Sequence, residues 1–217
     1  MAEVVTSGTG EVERIADRAQ LQLRYTATAK DRSGAVATLS ARIAKVERVL
    51  ERPGVEIRTR RLSVHDTWDG KRRNGAAADQ FYLLRITELG GLDDLIGELI
   101  GTEPTTLDGP NWELAQDAEA RREAQRLAVH EAMATARGYT DALGGQLGPL
   151  VRITDESGPA GAASVRHMAL RSSAPAGPSV AELNLEPQSI TVAARCTATW
   201  EFADQGSWST ATRQATE

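Results

Sequence analysis

The three histidines of this 217-residue chain, His65, His130 and His167, stand in separate segments. Zinc chemistry needs ligands at close spacing, such as two histidines one helical turn apart around a glutamate. Here His130-Glu131 is followed by Ala132, Met133 and Ala134, so that spacing is missing. Cys196, the single cysteine, alternates with apolar residues and reads as a buried core thiol rather than a nucleophile. Neither a Gly-x-Ser-x-Gly elbow nor a phosphate-binding glycine loop occurs. His65, Asp66 and Asp69, at the start of a connector over 65–79, are the group with types suited to acid–base or metal work. Asp93-Asp94 opens a short helix, where carboxylates suit the helix dipole better than an acid–base pair. Arg58, Arg60 and Arg61, with Lys71, Arg72 and Arg73 beyond, form the one basic concentration. It reads either as an anion or acidic-partner patch or as a charged strand edge that discourages pairing. No aromatics interleave there, as a single-strand nucleic-acid groove would require. The search assigns no catalytic, cofactor-binding or metal-ligating residue.

Composition narrows the classes further. The net charge of −5 provides no basic field to draw nucleic acid, which is set aside as a partner. All but three of the 25 basic residues are arginine, and they are scattered, as a G+C-rich coding sequence would give. One cysteine excludes an internal disulfide framework. No window approaches the roughly 18–20 apolar residues of a membrane span. The opening Met1-Ala2-Glu3-Val4-Val5 lacks the basic and apolar regions of a signal peptide, so a cytoplasmic protein is expected. Aromatics make up only 4%, so the core must come from Ala, Val, Leu and Ile.

These residues need elements to position them. Ala19, Leu21, Leu23, Tyr25 and Ala27 alternate with polar neighbours, the period of a half-buried strand. The stretch 4–13 is expected to be its hairpin partner, with Gly8 and Gly10 marking a bulge or turn. Val36, Leu39, Ile43, Val46 and Leu50 fall on one helical stripe, capped by Asp31 or Ser33 and stopped by Pro53-Gly54. Extended runs over 55–64 and 80–88 flank the connector, and Leu92, Leu95, Ile96 and Leu99 predict a short helix. A short strand is predicted over 111–115. The longest helix, 117–143, follows with an inner stripe of Ala124, Ala128, Ala132 and Ala136, then Tyr139 and Leu143, with Leu127 alongside. Strands over 150–154, 163–171 and 190–201 complete the pattern, with a loop over 172–179. The prediction is an α+β fold: an antiparallel-rich sheet carrying two long helices, with strand–helix–strand–strand order appearing twice. One domain over 1–202, with pseudo-halves of about 1–103 and 104–202, precedes a polar tail, 203–217, that contains Trp208 and reads as disordered.

Taken together, the residues resemble the SIMPL-domain family. Val5-Thr6-Ser7-Gly8-Thr9-Gly10-Glu11-Val12 is similar to its opening strand, and Val55 to Val64 to the strand after its first helix. Ala16 stands where the family has proline before Asp17, Trp68 is the aromatic of its connector, and Gln188 replaces a common glycine. The densest match runs from Ala124 to Glu156, through Ala136-Arg137-Gly138-Tyr139 and Leu147-Gly148-Pro149-Leu150. The resemblance spans about 4–202 and implies no agreed catalytic residue or cofactor. Bacterial relatives are periplasmic or outer-membrane-associated, self-assembly recurs, and a mammalian relative is named for associating with a signalling kinase. The resemblance therefore implies a non-enzymatic module that forms homo-oligomers or binds an unidentified protein. The alternative is a small-molecule or metal-dependent enzyme with its site at 65–79.

Overall fold

Burial at period two organises the strands, and burial at period 3.6 the helices. The computed structural model describes residues 2–156 and 185–204. In chain order the elements are β1 (Ala2–Ile15), β2 (Arg18–Ala29), α1 (Arg32–Leu50), β3 (Val55–Asp69) and β4 (Arg72–Ile86). They continue with α2 (Leu92–Gly101), β5 (Thr106–Glu113), α3 (Asp117–Ala142), β6 (Gly145–Asp155) and β7 (Ser189–Asp204). The α+β class and the antiparallel pairing agree with the sequence. The strands divide into two sheets, ordered β1-β7-β6 and β3-β4-β2-β5, each covered by one long helix. Two compact units result among the described residues. One comprises 2–14, 116–156 and 189–204, and the other 15–115 and 185–188. The strand expected over 163–171, the loop 172–179, His167, and the tail from 205 with Trp208 lie outside the described residues. The tail was expected to start at 203, but β7 runs through Asp204.

In the first unit, β1 does not form a hairpin with β2. It pairs with β7, where Ser7 faces Thr197 across a 3.0 Å hydroxyl–hydroxyl contact. The physical reason lies in Gly8 and Gly10, which are packing positions rather than turns. Thr6, Gly8, Gly10 and Val12 point toward α3 and are buried, while their odd-numbered neighbours are exposed. A Cβ on Gly8 would sit 2.0 Å from the Ala128 carbonyl oxygen, and one on Gly10 2.0 Å from that of Ala124. The helix answers with a row of buried alanines at every fourth position, Ala120 to Ala136. That row inclines to the helix axis and passes over the strand. It continues to Thr140, not to Tyr139, Leu143 and Leu127, which are exposed. The Thr6 hydroxyl donates to the Ala132 carbonyl at 2.8 Å and ties strand to helix. From β7, Ile190, Val192, Ala194, Cys196, Ala198 and Trp200 face inward as their alternation predicts.

In the second unit, Ala19, Leu21, Leu23, Tyr25 and Ala27 of β2 are buried beneath α1. The Asp31 carboxylate caps α1, accepting from the Gly34 amide at 2.7 Å. The supposed connector is no loop: β3 and β4 form one long hairpin. Gly70, at φ +59, makes its tight turn, and Asn74 bulges out between the Thr67–Gly75 and Trp68–Arg73 pairs. The two turn dipeptides that suggested a loop therefore serve as one turn and one bulge.

A polar network crosses the interior of this unit. The Tyr82 hydroxyl donates to Glu47 at 2.6 Å, and Arg60 donates to the other oxygen of the same carboxylate at 2.7 Å. Tyr25 packs edge-on to Tyr82 with ring centroids 6.2 Å apart, and its hydroxyl meets Thr102. Since the Thr102 hydroxyl donates to the Leu99 carbonyl, Tyr25 is the donor in that pair.

Two predictions follow from this packing. Gly8→Ala forces a methyl into the α3 backbone and should cost about 3 kcal/mol or more. Gly138→Ala, in α3 with nothing within 4 Å of the added Cβ, should gain up to about 1 kcal/mol. Urea denaturation of both variants checks this, and a Gly8→Ala chain as stable as the parent contradicts the contact. Burial, and after it the Glu47 hydrogen bond and charge, hold the Tyr82 hydroxyl well above the ordinary tyrosine range. The folded state then keeps a proton that the unfolded state loses, so the stabilisation is complete below pH ~10 and falls as pH rises from there. Tyr82→Phe should cost about 1 kcal/mol at pH 7 and flatten the stability loss between pH 9 and 11. Tyr25, also raised by burial, supplies a remaining slope. An unchanged alkaline slope in Tyr82→Phe would contradict the assignment.

Candidate functional site

The hairpin separates the residues that looked like a site. His65 and Asp66, as neighbours on β3, point to opposite faces of the sheet. Asp66 accepts from Arg32 at 2.9 and 3.2 Å and lies 3.1 Å from Arg73. The Arg32 hydrogen bond leads the causes that hold its carboxyl below the usual range, so Asp66 stays ionised and occupied. His65 Nδ1 lies 3.7 Å from Asp79, whose other oxygen accepts from the Thr26 hydroxyl at 2.7 Å. Asp69 stands at the turn. Among the described residues, no group of three or more His, Cys, Asp or Glu side chains could hold a metal ion. The arrangement pins the hairpin to α1 through Arg32, and arginines occupy Asp66 from two sides.

Other residues singled out in the sequence are placed as follows. Cys196 is buried, and burial is the leading cause that pushes its thiol up in pKa. Asp93 and Asp94 lie in the first turn of α2, whose N-cap position is Gly91. The basic strand is broken by a bulge between Ile57 and Thr59, so Arg58 and Arg60 do not share a regular face. Arg60 lies 5.5 Å over the Tyr82 ring on the α1 side, and Arg61 lies 5.7 Å over Phe81 on the other. The guanidiniums are thus folded onto the two sheet faces. What they leave is the strand edge itself. Among the described residues β3 pairs with β4 alone, and Ile57, Leu62 and Trp68 are exposed along it.

The two edges of the three-stranded sheet are built in opposite ways. Along β1, the Thr9 amide and hydroxyl both donate to the Glu131 carboxylate of α3. Arg14 Nη2 reaches Glu123 at 2.5 Å. Those hydrogen bonds to Thr9 are also what hold the Glu131 carboxyl below its usual range. Glu123, Leu127 and Glu131, spaced by four, form one flank of α3 that closes over this edge. Along β6, by contrast, Leu150, Val151 and Ile153 are each about half exposed (45%, 51% and 47%). Bulges interrupt the first half of β6, but Arg152 to Asp155 pair regularly with Thr199 to Cys196.

Between β6 and the opposite flank of α3 lies a cleft of about 260 Å³. Gln125, Val129, Ile153 and Cys196 are among its lining residues. A broader depression of about 700 Å³ shares Gln125 and Val129 and is lined by Glu119, Arg122, Arg126, His130 and Met133. Sequence reasoning missed both edges. The available signal was the charged row Glu123–Glu131, which runs beside the alanine row at the same spacing of four.

An "Uncharacterized protein YggE" from Edwardsiella ictaluri (strain 93-146) is 26% identical over 158 residues. That similarity covers 69% of this chain and 66% of the relative, just under two thirds of its length. The model of the SIMPL family, described as "Protein of unknown function (DUF541)", matches residues 4–200. With nearly the whole described chain inside that match, the protein belongs to the SIMPL family.

Proposed function

We propose that this SIMPL protein is a non-enzymatic association module that joins copies of itself through the outer edge of β3. The observation that carries the proposal is the state of that edge. From Thr59 to Thr67 it is regular, its outer side is unpaired among the described residues, and its charges are taken up within the unit. Unpaired strand edges are templates for strand addition unless charge or distortion guards them. Arginine would supply such a guard, but Arg60 is drawn inward by Glu47 and Arg61 lies over Phe81.

The sequence of the edge also suits pairing with itself. A two-fold axis through Ser63 sets Leu62 opposite Val64 of the second copy. Cross-strand apolar pairs of this kind favour antiparallel addition. The result is a continuous sheet across two copies, an isologous interface of the usual closed type. The exposed Trp68 at the hairpin end would add contact area.

Light scattering on the purified chain at high micromolar concentration tests the reading. The expected mass is that of a dimer or a multiple of it. Leu62→Lys, at an exposed position where monomer stability should change by no more than about 0.5 kcal/mol, should shift the population to monomer. A strictly monomeric parent chain, or an oligomer untouched by Leu62→Lys, would overturn it.

A further inference from the structure

Association through β3 requires that its edge carry no charge that repels a second copy. We propose that Glu47 of α1 meets this requirement: it neutralises Arg60 and holds that guanidinium off the edge, which makes Glu47 a specificity-determining residue for self-association. The inference rests on the β3 association and names what controls it. Its starting point is one carboxylate with two unlike partners. The Tyr82 hydroxyl donates to Oε1 of Glu47 at 2.6 Å, and Arg60 Nη2 donates to Oε2 at 2.7 Å. Tyr82 is fully buried, and its ring packs edge-on against Tyr25. A fixed hydroxyl orients the carboxylate, so the second oxygen faces the strand with less of the entropy cost that weakens most surface ion pairs.

The second observation is the position of Arg60. It lies within the regular stretch Thr59–Thr67, its side chain is half exposed, and its guanidinium stands 5.5 Å over the Tyr82 ring. Without the carboxylate, this long charged side chain is free to extend into solvent beside the edge. Charged side chains so placed are a common guard of edge strands. Its neighbour Arg61 is folded over Phe81 on the other face, so that guanidinium is held from within the sheet. Arg60 is the one whose placement depends on the helix.

The third observation is the charge that a second copy brings. Antiparallel addition about Ser63 puts the α1 sides of both copies on one face of the joined sheet. On that face stands Asp66, with Arg32 at 2.9 Å and Arg73 at 3.1 Å. One carboxylate between two guanidiniums leaves this cluster net positive. An Arg60 without Glu47 therefore adds like charge to the interface, and does so twice because the contact is symmetric. Like-charge juxtaposition across an interface is costly. With Glu47 on Arg60 the pair is neutral, and the two edges are compatible.

Sedimentation velocity of the full chain over a concentration series tests this, with urea denaturation to verify that each variant is folded. Glu47→Gln keeps the shape and an acceptor for Tyr82 but removes the charge. It should raise the dissociation constant about tenfold or more, and the defect should shrink as salt rises. Arg60→Ala alone should associate at least as tightly as the parent. Glu47→Gln combined with Arg60→Ala should recover the parent's association, a rescue that a purely structural role of Glu47 in α1 does not provide. A Glu47→Gln chain that associates as tightly as the parent overturns the proposal, and so does a double variant no better than Glu47→Gln. A parent that associates and responds to Leu62→Lys but not to Glu47→Gln keeps the β3 association and loses this control alone. A strictly monomeric parent overturns both.

Discussion

A backbone-to-backbone contact between β1 and α3 sets the geometry of the first unit. Gly8 and Gly10 have no side chain, and the alanines above them have one carbon each, so the helix settles on the strand itself. Any larger residue in the strand would lift the helix and open the core that Val12, Ala194, Ala198 and Trp200 share with it. Packing at that density leaves little tolerance for added atoms. The low aromatic content accords with the same arrangement, because strand and helix meet through small residues and Trp200 is the ring that their cluster admits. Close approach also brings the flanks of α3 down to the sheet. One flank then reaches the β1 edge with Glu123 and Glu131, while a cleft of about 260 Å³ lies between Val129 of the other and Ile153.

Much of this fold was legible from spacing. The alternation in β2 and β7 and the four-residue alanine row of α3 each specify one buried face, and each is buried as the pattern requires. What could not be read locally was which strands pair. Gly8 and Gly10 look the same in sequence whether they serve a bulge or a close helix contact, and only the partner distinguishes the two. The same limit applies to Asp69-Gly70 and Asn74-Gly75. As dipeptides they mark turns, but pairing of β3 with β4 across both makes the second a bulge. The end of the alanine row shows a smaller version of this effect. Local apolarity favoured Tyr139, whereas the inclination of the row over the strand selects Thr140.

The candidate site was legible only in part. Types and positions drew attention to His65, Asp66 and Asp69, but a strand places adjacent residues on opposite faces, and Arg32 and Arg73 occupy Asp66. Chemistry that needs three groups at one point cannot assemble there. In the proposed function the working surface is instead a strand edge, whose character depends on which side chains fold back over it. Glu131 on the Thr9 amide and Arg61 over Phe81 are contacts across 122 residues in the first case and between paired strands in the second. Neither has a local sequence signature. Both decide whether a strand is closed or available.

Availability of strand edges is the central claim, and amide exchange of the intact chain at low and high concentration tests it most directly. Thr9 should exchange slowly at both concentrations, because Glu131 holds its amide within one chain. Outward amides between Thr59 and Thr67 should gain protection as concentration rises. Exchange along β3 that is independent of concentration, together with a concentration-dependent gain along β1, would contradict the account.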